Sequence, residues 1–457
     1  MNKKLISNFE SGRIKMKRSP LIFLILIIFY SSNYPQETLT LNDAIKIAIN
    51  KNTSIIKAQN NLETQTAAIK NAYGDLLPNL NISGSWNWQK VTDKGGETQI
   101  DFFGKETTLP PSDVDTRNFS VSAGGSVTLF DGLSNIANIE QSKNNYSAAK
   151  LDLDKLRQDV ILQTVNLYFA IISYDSLLKY QEEDLKYNQE LLNKINEMQK
   201  LKMVTLADVY SQEAQTANSE FTLLQTKNNY EKAKISLLNY LSLNINEEYL
   251  FDLPNKNEFD SDLASQDFSQ LLNIALSNRK DYLSQKFKLE SAMNQLTIAR
   301  SNLYPSLTGN YRFSSNATSL NAFLGRKTYG VGISLNIPVF SNWNTDYAIQ
   351  SAQVNLENDN EELNALERQI ASDVKNALLD FQTSKLQLEV SKKALLSAEE
   401  SLDIKRESYD VGASTYIDFQ LTYDNYLQTK NNSIQAQYNN YVKQYALLNA
   451  IGNLREK

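Results

Sequence analysis

The sequence predicts a mostly helical chain that carries two pairs of short β-strands and consists of two copies of one structural unit. Three observations support this fold class: long tracts without helix breakers, four segments of alternating polarity, and a repeated order of motifs. Glycine is absent from residues 133 to 308 and from residues 333 to 411. These tracts are rich in Ala, Leu, Gln, Glu and Lys, which is typical of very long helices.

The composition excludes several classes of enzyme and metal site. The 457 residues contain no cysteine and no histidine, so the chain has no disulfide, thiolate nucleophile, Cys/His zinc site or imidazole base. No GxxxxGK(S/T) phosphate-binding loop is present. The net charge of −6 is not the pattern of a nucleic-acid-binding protein. We therefore expect a protein that is not an enzyme and has no metal, cofactor or nucleic acid partner.

The N-terminus carries a predicted export signal. Residues 21–30 form a ten-residue apolar run that basic residues precede. Ten residues are too short to span a bilayer as a helix, so we assign residues 1–33 to a signal peptide. Its cleavage site is not defined by the sequence, Met16 is an alternative start, and an uncleaved anchor is the alternative interpretation. A chain without cysteine cannot carry a thioether-linked lipid at its N-terminus.

The two halves of the chain repeat the same motifs. Residues 44–50 resemble residues 271–277, whereas motifs after the predicted strands recur at a shorter separation. The difference falls in one loop of the first half, around residues 92–116, and a repeat with such a confined insertion indicates two copies of one structural unit. The pairs at the shorter separation include Phe130 with Phe340 and Asp208 with Asp418.

Each copy is predicted to contain a short helix, two strands, a long helix and a closing helix. We assign residues 37–243 to the first repeat, 244–267 to an acidic linker and 268–457 to the second repeat. A long helix of about 68 residues and a short plus a closing helix stacked end to end both span about 100 Å. Each copy therefore offers two rods of equal length. The predicted helices are 41–72 and 268–301 (short), 134–201 and 344–409 (long), and 206–243 and 417–452 (closing).

The four predicted strands have the pattern of membrane strands. They cover about residues 79–91, 117–130, 306–315 and 328–340, and in each of them apolar and polar residues alternate. About 9–11 tilted residues cross a bilayer, and aromatic residues lie near the ends of such strands. A soluble sheet packed on helices is the alternative, but the flanking helices are far too long for it. The predicted interface aromatics are Trp86, Trp88, Phe119, Tyr311, Phe313 and Tyr329.

Four strands cannot close a barrel, and open strand edges do not persist in lipid. Three copies would supply 12 strands, so we expect a homotrimer. The helices carry apolar stripes at heptad-like spacings, which indicate coiled-coil packing. The helices alone would favour a fibrous coiled coil or a periplasmic adaptor. Together with the strands they predict a 12-stranded membrane β-barrel continued by a long α-helical barrel with a polar interior; the resemblance described next implies that the β-barrel lies in the outer membrane and the helical barrel in the periplasm.

The residues that join the second long helix to its closing helix carry a family resemblance. Residues 409–421 (YDVGASTYIDFQL) and 447–452 resemble the TolC-type outer membrane efflux protein family, and the resemblance covers essentially the whole mature chain. It implies a trimeric exit duct of a tripartite efflux or type I secretion system, embedded in outer membrane lipid. An inner-membrane transporter would supply the energy, and a periplasmic adaptor would connect the two. The alternative is a periplasmic coiled-coil adaptor without a membrane barrel, and the sequence does not reveal the cargo.

The two turns between long and closing helices would form the periplasmic tip. Gly412 is predicted to be a left-handed C-cap. Thr205 with Asp208, and Thr415 with Asp418, fit the capping-box pattern. The functional hypothesis places Asp418 in a ring of three carboxylates at the closed tip, which would attract cations.

The sequence departs from the family at two tip positions. The family's second acidic residue corresponds to Leu421, and its tip arginine corresponds to Ser414. An arginine–carboxylate lock is therefore not expected. Tyr409 with Asp208 is the predicted contact between the repeats at the tip.

Overall fold

The computed structural model describes residues 37–252, 266–322 and 325–455. The predicted signal peptide and most of the predicted linker lie outside the described residues. Eight α-helices in the described ranges carry most of the chain. They are α1 Leu41–Lys51, α2 Thr53–Gly74, α3 Ser134–Lys200, α4 Leu206–Tyr240, α5 Phe268–Asn278, α6 Lys280–Ser301, α7 Asn344–Asp410 and α8 Tyr416–Ala450.

Corresponding helices in the two halves have the same lengths. These lengths are 11, 22, 67 and 35 residues in each half. The helices before the strands recur at a larger separation along the chain than the helices after the strands. The whole difference in length therefore lies between the second and third helix of each half, where the strands are.

Each predicted short helix is divided into two helices, because one residue within it has an extended backbone conformation. Asn52 has a ψ of 123° and accepts a hydrogen bond from the Ser54 N–H at 2.9 Å, so it caps α2. Arg279 has the same extended backbone at the matching position of the second half. It is 7% exposed and bonds Asp281 and Asp373 at 2.6 and 2.9 Å. Neither break involves glycine or proline, which is why the sequence pattern did not indicate it.

The described strands form one four-stranded antiparallel sheet and two small pairs. The sheet has the order β2-β5-β7-β8, and the small pairs are β1 with β6 and β3 with β4. The last strand ends earlier than predicted, since Pro338 has no N–H with which to continue the ladder. The strands are β1 Glu37–Leu39, β2 Asn81–Asp93, β3 Thr98–Ile100, β4 Glu106–Thr108, β5 Ser112–Phe130, β6 Tyr249–Phe251, β7 Ser306–Ala317 and β8 Lys327–Asn336.

The insertion in the first half consists of longer strands and an added hairpin. β2 and β5 pair as far as Asp93 and Ser112, beyond the end of β7, and β3 and β4 form a hairpin between them. β1 and β6 pair in parallel beside the middle of α3, where the Tyr168 hydroxyl lies 3.0 Å from the Leu39 carbonyl oxygen. The sequence pattern predicted neither small pair.

The helices pack side by side in two stacked sets. Near the sheet, α2 contacts α3, α3 contacts α6, and α6 contacts α7. At the far end, α4 contacts α3, α3 contacts α8, and α8 contacts α7. The first-half helices α2 and α4 therefore lie at one edge, and α7 lies at the other. The main core is centred on α3, where Tyr168, Phe169 and Ile171 are fully buried against α1 and α4.

Candidate functional site

The strand register divides the sheet into an apolar face and a polar face. Trp86 lies opposite Phe119, Phe313 lies opposite Tyr329, and the alternation continues along most of the four strands. Ser315 and Lys327 form a polar pair on the apolar face. All six predicted interface aromatics share the apolar face. That face carries Ile82, Trp86, Trp88, Phe119, Val121, Ala123, Leu307, Tyr311, Phe313, Tyr329, Val331, Ile333 and Leu335.

Trp86, Trp88 and Phe119 lie toward the end of the sheet that is far from the helices, whereas Tyr311, Phe313 and Tyr329 lie nearer its middle. The Trp86 and Phe119 rings are 6.3 Å apart, and the Phe313 and Tyr329 rings are 5.3 Å apart. Trp88 donates its indole N–H to Asp115 at 2.7 Å. An indole with an apolar body and a hydrogen-bonded N–H suits a membrane–water interface.

A second aromatic level lies where the sheet meets the helices. Phe130, Phe340, Trp343 and Tyr347 are exposed there, and Trp343 is 72% exposed. The strand from Phe119 to Phe130 spans about 36 Å along its axis, or about 28 Å across a membrane at a tilt of about 40°. An outer-membrane barrel has an apolar band about 25 Å tall. The sequence pattern did not single out this level, because Phe130 and Phe340 end predicted strands while Trp343 and Tyr347 lie beyond them.

We call the part of the sheet between the levels of Phe119 and Phe130 the membrane band. Its polar face is lined by hydroxyl and amide groups that bond one another across the strands. Ser83 bonds Ser122 at 2.8 Å, and Asn310 donates to Ser334 at 3.1 Å. This face suits contact with water.

The two tip turns share one backbone design. Lys202 and Gly412 have φ angles of 60° and 76°, and they occupy matching positions after α3 and α7. In the first turn the Met203 N–H bonds the Met198 carbonyl at 2.9 Å, and the second turn has the equivalent bond at 2.8 Å. This is the Schellman pattern that ends a helix. The predicted left-handed cap at Gly412 is present.

The two tip aspartates differ in what their carboxylates do. Asp208 accepts hydrogen bonds from the Thr205 N–H and hydroxyl at 2.8 and 2.7 Å, so its capping box is complete. At the second tip only the Asp418 N–H to Thr415 hydroxyl bond is present, at 3.2 Å. The Asp418 carboxylate is exposed and has no hydrogen-bond or ion-pair partner in the described part of the chain.

Tyr409 does not bond Asp208 in the structure. Its ring stacks on Phe419 at 5.4 Å, and its hydroxyl has no hydrogen-bond partner among the described residues. Leu421 is exposed. An ion pair that sequence reasoning missed joins the halves nearby, because Lys194 of α3 contacts Asp410 of α7 at 2.6 Å.

A buried polar chain links three helices just above the tip. Tyr423 of α8 donates to Asp184 of α3, and Asn188 donates to the same carboxylate at 3.0 Å. Gln212 of α4 donates to the Asn188 side-chain oxygen at 3.0 Å and accepts from Tyr416 of α8 at 2.7 Å. Burial raises the pKa of Tyr423, as does the negative charge of Asp184. Burial likewise raises the pKa of Tyr416 to about 12, so both phenols stay protonated donors at neutral pH.

Comparison with known proteins agrees with this geometry. A model of the outer membrane efflux protein family matches residues 44–242 and 271–453. The pyoverdine export outer membrane protein OpmQ of Pseudomonas putida is 21% identical over 318 residues, which is 69% of this chain and 65% of that protein. The toluene efflux pump outer membrane protein TtgC of Pseudomonas putida is 22% identical over 66% of this chain and 60% of that protein. The chain thus spans less than two thirds of these relatives.

Solved structures share the fold. The outer membrane protein VceC of Vibrio cholerae matches with a TM-score of 0.76 at 17% identity, over 90% of this chain and 96% of that chain. The CmeC outer membrane channel of Campylobacter jejuni matches with a TM-score of 0.78 at 19% identity, over 91% and 86% of the two chains. The predicted mostly helical fold with a small sheet is therefore confirmed.

Proposed function

We propose that this chain, which belongs to the outer membrane efflux protein family, forms the exit duct of a tripartite efflux or type I secretion system. The family consists of outer membrane channels and not of enzymes, which agrees with the expectation from composition. The duct would conduct cargo passively from an inner-membrane transporter and a periplasmic adaptor to the cell exterior. One observation carries the proposal: the sheet has an apolar face bounded by two aromatic levels and a polar face opposite.

The duct is proposed to be a homotrimer. Within the described strands, β2 and β8 each pair on one side only, and an unpaired edge is unfavourable in lipid. If β2 of one copy pairs with β8 of the next, three copies close a barrel of 12 strands. The same contact repeated head to tail gives a closed ring.

The helical edges support the same arrangement. Apolar side chains are exposed along α4, including Phe221 and Leu224, and along α7, including Leu386 and Val390. The two members of each pair lie about one helical turn apart, which is the spacing of a coiled-coil seam. Because α4 and α7 lie at opposite edges of the helical layer, α4 of one copy can pack on α7 of the next.

The tip is the proposed gate and adaptor-docking end. Asp418 has an unengaged carboxylate, and in a trimer three of them would form a ring that attracts cations. Asp208, Tyr409 and Gly412 build the turns around it. Pyoverdine and toluene are named as cargo for the relatives, and we assign neither of them to this chain.

The alternative, a periplasmic adaptor without a barrel, leaves the apolar face in water. Val331 is 90% exposed on that face, and burying apolar surface contributes about 25 cal/mol per Å². A lipid-facing sheet removes this exposure, whereas a soluble adaptor keeps it.

The test measures conductance of the detergent-extracted protein in planar bilayers, together with its mass by native mass spectrometry. The wild-type protein should be a conducting trimer. Phe221→Asp should give non-conducting monomers, because it places a charge in the α4–α7 seam. Thr222→Asp adds the same charge at an exposed polar position about 100° around α4 from Phe221, away from the Leu224 side, and should leave the trimer intact. A processed chain that is a water-soluble monomer in a detergent-free lysate would overturn the proposal.

A further inference from the structure

The polar face of the membrane band carries one charged side chain among the described residues. That residue is Arg312, in the middle of β7. The other polar-face positions of the band are Ser, Thr, Asn or Gly. They include Ser83, Ser85, Ser120, Ser122, Ser126, Thr128, Thr308, Asn310, Ser314, Asn316, Thr328 and Ser334.

Glycine lies opposite Arg312 on both neighbouring strands. Arg312 pairs with Gly124 of β5 and with Gly330 of β8, so no side chain covers it from either side. A Cβ at Gly124 would meet the Tyr311 carbonyl oxygen at 2.7 Å, which keeps that position a glycine. Arg312 is exposed and has no hydrogen-bond or ion-pair partner within the described ranges. Its guanidinium therefore keeps all its donors available.

The proposed trimer would bring three such guanidinium groups to one level of the lumen. With strands about 4.8 Å apart and tilted by about 40°, a 12-stranded barrel has a radius of about 12 Å. Side chains that reach about 6 Å inward then lie about 10 Å from one another. That separation is close to the Debye length at physiological salt, so the three positive fields overlap.

We propose that Arg312 forms a cationic collar in the barrel lumen that favours small organic anions as cargo. The collar rests on the proposed duct. Rings of arginine or lysine select anions in pores, and the planar guanidinium fork matches carboxylate and phosphate oxygens in pairs. The collar thus attracts oxyanion groups, whereas the ring of carboxylates at the tip would attract cations.

The test uses citrate, a tricarboxylate, added to the barrel side of single trimers in planar bilayers. From that side citrate reaches the collar before the tip. Citrate should reduce the wild-type current, and Arg312→Gln should raise the half-blocking concentration about tenfold. Arg312→Lys keeps the charge and should retain most of the block. Arg117→Gln removes a charge from the apolar-face register of β5, beyond the membrane band, and should leave the block unchanged.

A second variant avoids removal of the arginine. Gly330→Asp places a carboxylate beside Arg312, where a new Cβ has no atom within 4 Å, and it should weaken the block as Arg312→Gln does. Open-channel current without citrate reports that each variant is assembled. If citrate blocks both variants as it blocks wild type, the collar is wrong and the duct stands. If wild-type protein forms no channel, the duct itself is wrong.

Discussion

The two closing helices, α4 and α8, begin in the same way but pack in different surroundings. Both have 35 residues, follow a Schellman turn and start with a threonine N-cap. α8 lies between α3 and α7 and buries Tyr416, Phe419 and Tyr423, whereas α4 lies at the edge of the chain. At the position that matches Tyr423, α4 has the exposed Glu213.

This comparison separates what local sequence sets from what neighbours set. The Thr-x-x-Asp pattern and the left-handed residue produce the same turn twice. The carboxylate of Asp208 is used within that turn, while that of Asp418 is left available. A duplicated unit can thus keep its backbone and give one copy a structural role and the other a surface role.

The largest expected effect is at Tyr423, the buried end of the polar chain. Tyr423→Phe removes the donor to Asp184 and leaves a buried carboxylate with one partner fewer. A hydrogen bond to a charged group contributes about 1.5–3 kcal/mol, so the variant should lose about 2 kcal/mol in the free energy of unfolding. Urea unfolding of the detergent-solubilised protein measures it. Glu213→Gln, the matched exposed position, should change stability by less than about 0.5 kcal/mol.

The same residue gives a pH dependence with a defined sign. The folded state raises the pKa of Tyr423 above the unfolded value of about 10, so it holds the phenolic proton more tightly. This contribution to stability is fully present below about pH 10 and is lost as pH rises above it. Tyr423→Phe should flatten the alkaline fall in stability, and Tyr416 should account for part of the remainder. An unchanged alkaline profile would show that Tyr423 is not buried as described.

A smaller effect tests the shared backbone of the turns. Gly412 and Lys202 both adopt positive φ, which an L side chain adopts at a disadvantage of about 1 kcal/mol. Gly412→Ala should therefore destabilise the protein by about that amount, and Lys202→Gly should stabilise it slightly. Thermal unfolding of both variants checks the opposite signs. Two variants that shift stability in the same direction would mean that the turns are not equivalent.

Periodicity and repeated motifs sufficed for the helices, the four main strands and the two tip turns. The breaks at Asn52 and Arg279 were missed because an extended residue held by a side-chain cap or a buried ion pair leaves no mark in the apolar pattern. The polar chain through Asp184 and Gln212 was missed because those residues are distant in sequence. Arg312 stood in the alternating pattern, but its glycine neighbours depend on strand register.

The smallest expected change in stability comes from the two tip aspartates, and comparing them tests directly how the two tips differ. Asp208→Ala removes an acceptor of two hydrogen bonds and should destabilise the protein by about 1 kcal/mol. Asp418→Ala loses only a favourable charge near a helix N-terminus, about 0.3–0.5 kcal/mol. Cation preference in planar bilayers should respond in the reverse order, falling in Asp418→Ala and holding in Asp208→Ala. If Asp418→Ala keeps the wild-type preference, Asp418 is a helix-terminal residue and not part of the gate, and the two closing helices would then differ only in burial.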